Sequence, residues 1–218
     1  ARAPRVRVVG GPDRGLYDAM NKGVANVADP ARYVIFLNAD DTFTGPDAVA
    51  RVMGGSNGED LVYARLERWD EEFEDRGVIG REVTERDMLF GMFCHHQTMF
   101  ARRALFDSVG GFDLGYRIAA DYDWAVRVFR RSDVSKAFVP HVVSVMRRGG
   151  LSDQRYLASV RERWRIVRRH YGALDLLRYS AYTGFGDYAR FWLQQALRRV
   201  GLFQRARQLM RALGGRVS

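Results

Sequence analysis

The chain has 218 residues, 47% of them hydrophobic, and a formal net charge of +9. That is enough apolar material for one sizeable core with an appendage. The single cysteine, Cys94, excludes an internal disulfide framework and fits a reducing cytoplasm, and no apolar run approaches the ~20 residues that cross a bilayer as a helix. The charge is uneven: residues 1–154 carry 21 Lys and Arg against 23 acids, whereas residues 155–218 carry 14 Arg against three acids, Glu162, Asp175 and Asp187. A near-neutral body followed by a strongly basic stretch suggests a polyanionic partner such as a membrane surface.

In chain order, the alternation at 5–9 predicts a short strand, ended by Gly10-Gly11-Pro12-Asp13. Leu16, Met20, Val24 and Val27 recur at helical spacing, with Asp13 or its neighbours as a cap, and Asp29-Pro30 stops that helix. Tyr33-Val34-Ile35-Phe36-Leu37 is a short apolar run of the kind that forms a strand buried on both faces. A helix is predicted from Pro46 to about Met53, a strand at 60–64, a surface hairpin or excursion at 65–82, and a short helix opened by Thr84-Glu85-Arg86-Asp87. Then come a strand at 97–101, a helix at 102–109, a helix at 121–131, strands at 137–139 and 142–146, and a loop at 147–150. After 152 the reading is helical: 153–170, 173–181, 187–199 and 202–213.

The strand at 33–38 runs straight into Asn38-Ala39-Asp40-Asp41. Ligands bind at the ends of strands in open α/β sheets, and two adjacent carboxylates there repel unless a cation sits between them. Mg2+ or Mn2+ suits such oxygen ligands; a solvated turn is the alternative.

Three blocks together resemble family 2 glycosyltransferases of the GT-A fold, in particular the bacterial enzymes of polysaccharide and glycolipid assembly. They are 13–23 (Asp-Arg-Gly-Leu-Tyr-Asp-Ala-Met-Asn-Lys-Gly), 36–41 (Phe-Leu-Asn-Ala-Asp-Asp), and His95-His96-Gln97 with Gly110-Gly111-Phe112-Asp113 and Ala120-Asp121-Tyr122-Asp123. Their order and spacing match that family over roughly 5–152. The resemblance implies a Rossmann-like α/β fold with a mostly parallel central sheet flanked by helices, over residues 1–152, and a helical basic extension over 153–218. The family's first nucleotide-binding strands are not found in this sequence, so an upstream segment is expected.

The resemblance also implies roles. Asn38-Ala39-Asp40 stands where the family has its DxD motif, with the first Asp replaced by Asn. Asp40 and Asp41 would hold the metal on a nucleotide-sugar diphosphate. Asp121 matches the family's general base, inverting the anomeric centre in one displacement; the residue before it is Ala120 rather than Glu. Read by itself, Asp121 also suits a helix N-terminus, and Asp123 reads better as structural. Arg14, Asn21 and Lys22 are placed near the donor, although Asp18 and Lys22 also suit an i,i+4 ion pair. Arg147 and Arg148 lie where a mobile loop would clamp the diphosphate. His96 or Gln97 lines the acceptor or sugar pocket; neighbouring histidines on a strand would point to opposite faces. Cys94 reads as a buried small side chain.

Arg161, Arg165, Arg168 and Arg169 interleave with Trp164, Ile166 and Val167, a pattern of basic amphipathic helices at membrane surfaces, or of helices packed on the body with Arg outward. The expected protein is thus an inverting, metal-dependent glycosyltransferase acting on a lipid-linked or saccharide acceptor at the cytoplasmic face of a membrane. Alternatives are a non-catalytic GT-A-like assembly partner and a basic nucleic-acid-binding protein. No nucleic-acid motif is present, and the acidic stretch at 59–87 argues against the last.

Overall fold

The protein is seen in a computed structural model that describes residues 8–70, 75–147, 149–150, 155–183, 192, 193 and 196. The expected strand at 5–9 and helices at 187–199 and 202–213 fall wholly or largely outside those residues. Among the described residues no helix is long and apolar enough to cross a membrane.

The chain opens with helix α1 (Leu16–Ala25), which buries Tyr17, Met20 and Val24. Asp13 does not cap it; its carboxylate accepts the Gly15 N–H at 3.0 Å instead. Strand β1 (Tyr33–Val34) is shorter than the expected 33–38. Along this run the side chains still alternate. Val34 and Phe36 pack on the larger core cluster, while Tyr33 and Ile35 pack on the cluster across the sheet, as the two-residue strand period requires. Regular pairing stops before the chain turns at Asn38, whose carbonyl accepts the Asp41 N–H at 3.1 Å.

Strand β2 (Thr42–Phe43) and helix α2 (Ala48–Gly54) follow, then the long strand β3 (Leu61–Asp70), paired antiparallel with β4 (Asp75–Ile79) as the expected hairpin. Thr84 and Asp87 bond reciprocally and start a 3-10 turn, Asp87–Leu89, where a short α-helix was expected. A second 3-10 turn, His96–Thr98, leads into β5 (Met99–Arg102) and helix α3 (Arg103–Ser108). Helix α4 (Ala120–Phe129) comes next. The two strands expected at 137–146 are one, β6 (Lys136–Arg147). Pro140 falls in an irregular stretch of the β3–β6 ladder, between the Tyr63–Phe138 and Arg65–Val142 pairs, where its missing N–H breaks no bond.

The sheet order is β1-β5-β3-β6-β2, with β4 added on β3. Among the described strands the parallel pair is β3–β6; the other pairings are antiparallel. The larger core lies between one face of the sheet and α1, α3 and α4, around Trp124, Tyr63 and Phe112. The smaller lies on the opposite face under α2.

Helices α5 (Tyr156–His170) and α6 (Ala173–Tyr182) are the described part of the basic extension. Here α5 packs on the body. Ile166 joins the main core, and Val167 joins Leu89 and Tyr179 in a third cluster, while Arg161, Arg165 and Arg168 stay exposed.

Candidate active site

A cleft of about 800 Å³ opens where the turn after β1, the 3-10 turn before β5, the start of α4, the first turns of α1 and the end of β6 meet. Asn38, Asp40, Asp41, His96, Gln97, Asp121 and Arg147 all line it. The cleft therefore collects these residues from four distant stretches of sequence.

Asp121 sits in the first turn of α4. Its Oδ1 accepts the Tyr17 hydroxyl at 2.9 Å and the Tyr122 N–H at 2.9 Å, and its Oδ2 lies 2.9 Å from His96 Nδ1. Burial pushes the carboxyl up, but the hydrogen bonds from His96 and from Tyr17 outweigh it. The net shift is below the usual carboxylate range. Tyr17 moves the other way: burial first, then the Asp121 charge, hold it protonated far above its ordinary value. Its hydroxyl is therefore a permanent donor, shared between Asp121 and the Ile118 carbonyl at 2.7 Å.

His96 continues the chain of contacts. With Nδ1 donating to the carboxylate, Nε2 is left to accept, and the Asn38 amide nitrogen stands 3.2 Å away. This tautomer is assigned from the bonding pattern. A line of polar contacts thus runs from Tyr17 through Asp121 and His96 to Asn38 in the motif turn. His95 also lines the cleft; burial pulls its imidazole down to about 4, which leaves it neutral near pH 7. The opposite-faces expectation for the two histidines fails because they lie at a 3-10 turn rather than on a strand. Cys94 is buried, and burial pushes its thiol up to about 12, so it is inert.

The two motif carboxylates differ. Asp40 is exposed at the cleft, whereas Asp41 is buried and accepts Gln97 Nε2 at 2.9 Å. The other end of that amide, Gln97 Oε1, is buried and has no partner among the described residues. Among the described residues no three His, Cys, Asp or Glu side chains gather as a metal cage. What is present fits a hard cation of the Mg2+ or Mn2+ kind, which takes one or two carboxylates and completes its shell with substrate phosphates and water.

Three expected donor ligands have other duties here. Lys22 pairs with Asp18 at 3.0 Å and donates to the Pro12 carbonyl at 2.5 Å, the i,i+4 alternative. Arg14 is mostly exposed, near the same Asp18 at 3.8 Å. Asn21 clamps the Phe112 backbone, donating to its carbonyl at 2.9 Å and accepting its N–H at 2.8 Å. None of the three lines the cleft. The Asn21 clamp explains Gly111: a Cβ there would stand 2.6 Å from Asn21 Oδ1. Arg147 lines the cleft with its guanidinium 4.9 Å over the Trp69 ring; Arg148 is outside the described residues. The wall also includes Tyr17, Arg68 and Arg117, which the sequence did not single out. Tyr17 lay inside a matched block; Arg68 and Arg117 carry no local signal.

No family model matches the chain. It is 34% identical over 145 residues to a PGL/p-HBAD biosynthesis glycosyltransferase of Mycobacterium tuberculosis, a match covering 65% of this chain and 54% of that protein. It is 32% identical over 124 residues to an uncharacterized glycosyltransferase of the same organism, covering 53% of this chain and 45% of that one. The chain thus spans about half the length of these curated relatives. Among solved structures, S. aureus TarS residues 1–349 in complex with UDP superposes with a TM-score of 0.51 at 15% identity, over 82% of this chain and 54% of that one. At that identity the likeness is one of fold. The resemblance to GT-A glycosyltransferases carried by the three blocks is thus found again in sequence relatives and in fold.

Proposed function

We propose that this chain carries the catalytic core of an inverting glycosyltransferase, which moves a sugar from a nucleotide-diphosphate donor to a hydroxyl of a lipid-linked or saccharide acceptor. The observation that carries the reading is one cleft with two motif carboxylates on one wall and Asp121 on another. The glycosyltransferase relatives, the PGL/p-HBAD name and the UDP bound to TarS support the donor class and a glycolipid setting.

In this mechanism Asp121 accepts the proton of the acceptor hydroxyl as that oxygen attacks the anomeric carbon and the diphosphate leaves from the opposite face. General-base catalysis of this kind contributes about 10²–10⁴-fold. His96 and Tyr17 hold the carboxylate ionised and oriented. Asp40, with Asp41 beside it, would hold Mg2+ or Mn2+. Such an ion supplies Lewis-acid neutralisation of charge on the leaving diphosphate. Asn38 would meet the donor through a neutral amide, and Arg147 would supply positive charge to its phosphates. Gln97 and His96 would form the floor under the sugar or acceptor.

An anionic membrane surface is the partner proposed for the extension. Arg161, Arg165 and Arg168 on α5 and Leu174 and Leu177 on α6 are exposed, the mixture that binds lipid headgroups. Flotation with anionic and neutral liposomes tests this, with salt-sensitive binding to the anionic set expected.

The enzymatic test is nucleotide release and sugar transfer from a panel of UDP-, GDP- and TDP-sugars, with and without EDTA. Activity that depends on Asp121, and that EDTA abolishes and Mg2+ or Mn2+ restores, is expected. EDTA-insensitive transfer would remove the metal from the scheme. Donor binding without turnover would return the non-catalytic reading.

A further inference from the structure

We infer that Glu162, on helix α5 of the basic extension, is a positioning residue for Asp121. The inference rests on the proposed transferase reading. The Glu162 carboxylate reaches across 43 to 45 positions of sequence and accepts three consecutive backbone N–H groups: Arg117 to Oε1 at 2.9 Å, and Ile118 and Ala119 to Oε2 at 2.8 and 2.9 Å. These are not the orphan donors inside α4. They belong to the segment leading into it, which otherwise has no strand or helix to order it. Bonds to an ionised acceptor are short and strong, and three on one carboxylate hold a loop as a helix cap holds a terminus.

What that segment carries makes the contact functional. Arg117 and Ile118 line the cleft. The Ile118 carbonyl accepts the Tyr17 hydroxyl at 2.7 Å, and the same hydroxyl lies 2.9 Å from Asp121 Oδ1. Asp121 itself follows Ala119 by two residues. Glu162 therefore sets both the start of α4 and the position of one of the two side chains that hold the Asp121 carboxylate. The same helix supports this segment from beneath, with the Arg165 guanidinium 5.1 Å over the Tyr116 ring. The helix expected either to bind a membrane or to pack on the body thereby also supports the wall of the cleft.

The test compares the wild-type protein with Glu162→Ala, Glu162→Gln and Ile166→Ala. The last loosens α5 from the core while keeping the Glu162 carboxylate. For Glu162→Ala, kcat is expected to fall about 10–100-fold with the donor KM within about twofold, the size expected when a reacting group is misplaced by about an ångström. Glu162→Gln, which keeps one accepting oxygen, recovers part of the loss. Ile166→Ala lowers Tm at least as much while kcat per folded molecule holds. A kcat for Glu162→Ala equal to that of Ile166→Ala, or a loss carried wholly by KM, overturns the inference. A wild type that transfers nothing overturns the enzymatic reading instead. The positioning role is then decided by NMR. In Glu162→Gln the amides of 117–119 exchange faster and the Asp121 carboxyl titration moves, and neither happens in Ile166→Ala if the inference holds. An Asp121 titration unchanged in Glu162→Gln sinks it.

Discussion

Asp121 and Asp123 stand two residues apart in the first turn of α4, and each has a histidine partner. His96 Nδ1 lies 2.9 Å from Asp121, and His170 Nε2 lies 2.8 Å from Asp123. In both, burial is outweighed by hydrogen bonds, joined at Asp123 by the charge of Arg127, and both carboxyls are held below the usual range. Their surroundings separate them. Asp123 is 1% exposed and enclosed, its second oxygen taken by Arg127 Nε at 2.9 Å. Arg127 then fans onto the carbonyls of Val109 and Gly111, at 2.6 and 2.8 Å, tying the glycine turn to α4. Asp121 lines the cleft. A shifted carboxyl is thus no mark of catalysis by itself; what separates the pair is that Asp121 has access to the cleft and Asp123 does not.

Substitution separates the two most sharply. Asp121→Asn is expected to lower transfer by about 10²–10⁴-fold while circular dichroism and Tm stay near wild type. Full activity in that variant would falsify the base assignment. Asp123→Ala reverses the pattern. Removing one member of a buried ion pair costs about 3–5 kcal/mol, and at roughly 2–4 °C per kcal/mol for a chain of this size the melting temperature is expected to drop by about 6–20 °C. Activity per folded molecule is retained. Equal losses of activity in the two variants would erase the distinction.

Gly111→Ala probes the glycine turn more gently. Its methyl meets Asn21 Oδ1, and overpacking of this kind costs about 1–3 kcal/mol, read as a lower denaturation midpoint with KM unchanged. The smallest effect is on pH. Because the folded carboxyl of Asp121 is depressed, the proposed base is expected to stay ionised to lower pH than a free carboxylate, and the acid limb of kcat/KM to shift downward with it. His96→Ala removes the largest lowering influence and moves the limb upward. The linked stability has the matching sign: the contribution of both carboxylates is full above the unfolded pKa and is lost as pH falls through the folded one. An acid limb unmoved in His96→Ala would separate His96 from the base.

Much of the outline was legible in the sequence. The helical stripe at 16–24, the β3–β4 hairpin, α2, α4 and the motif turn at 38–41 all follow from periodicity, glycine and proline. The short register of β1, the fusion of 136–147 into one strand and the 3-10 turns were not, because strand ends and short turns are decided by pairing partners far along the chain. Site residues divide likewise. Asp40 and Asp41 stood out as carboxylates closing an apolar strand, whereas Asp121, His96 and Gln97 came from the family resemblance; all five line the cleft. Lys22, Asn21 and Arg14 looked equally suitable. Which carbonyl or carboxylate lies within reach of such side chains is a matter of packing, and here the partners are Pro12, Phe112 and Asp18.

Local sequence by itself determined where the longer helices and the main strands lie, that a turn bearing two carboxylates ends an apolar run, and that the last quarter of the chain is basic. These depend on neighbours within a few positions, where side-chain period and backbone preference act directly. Only the tertiary structure decided that Asp121 faces the cleft while Asp123 is enclosed, that His96 lies between Asp121 and Asn38, and that Glu162 holds the entry to α4. Each of the last two joins residues more than 20 positions apart, and no short-range rule specifies a hydrogen bond between groups that only folding brings within 3 Å or so.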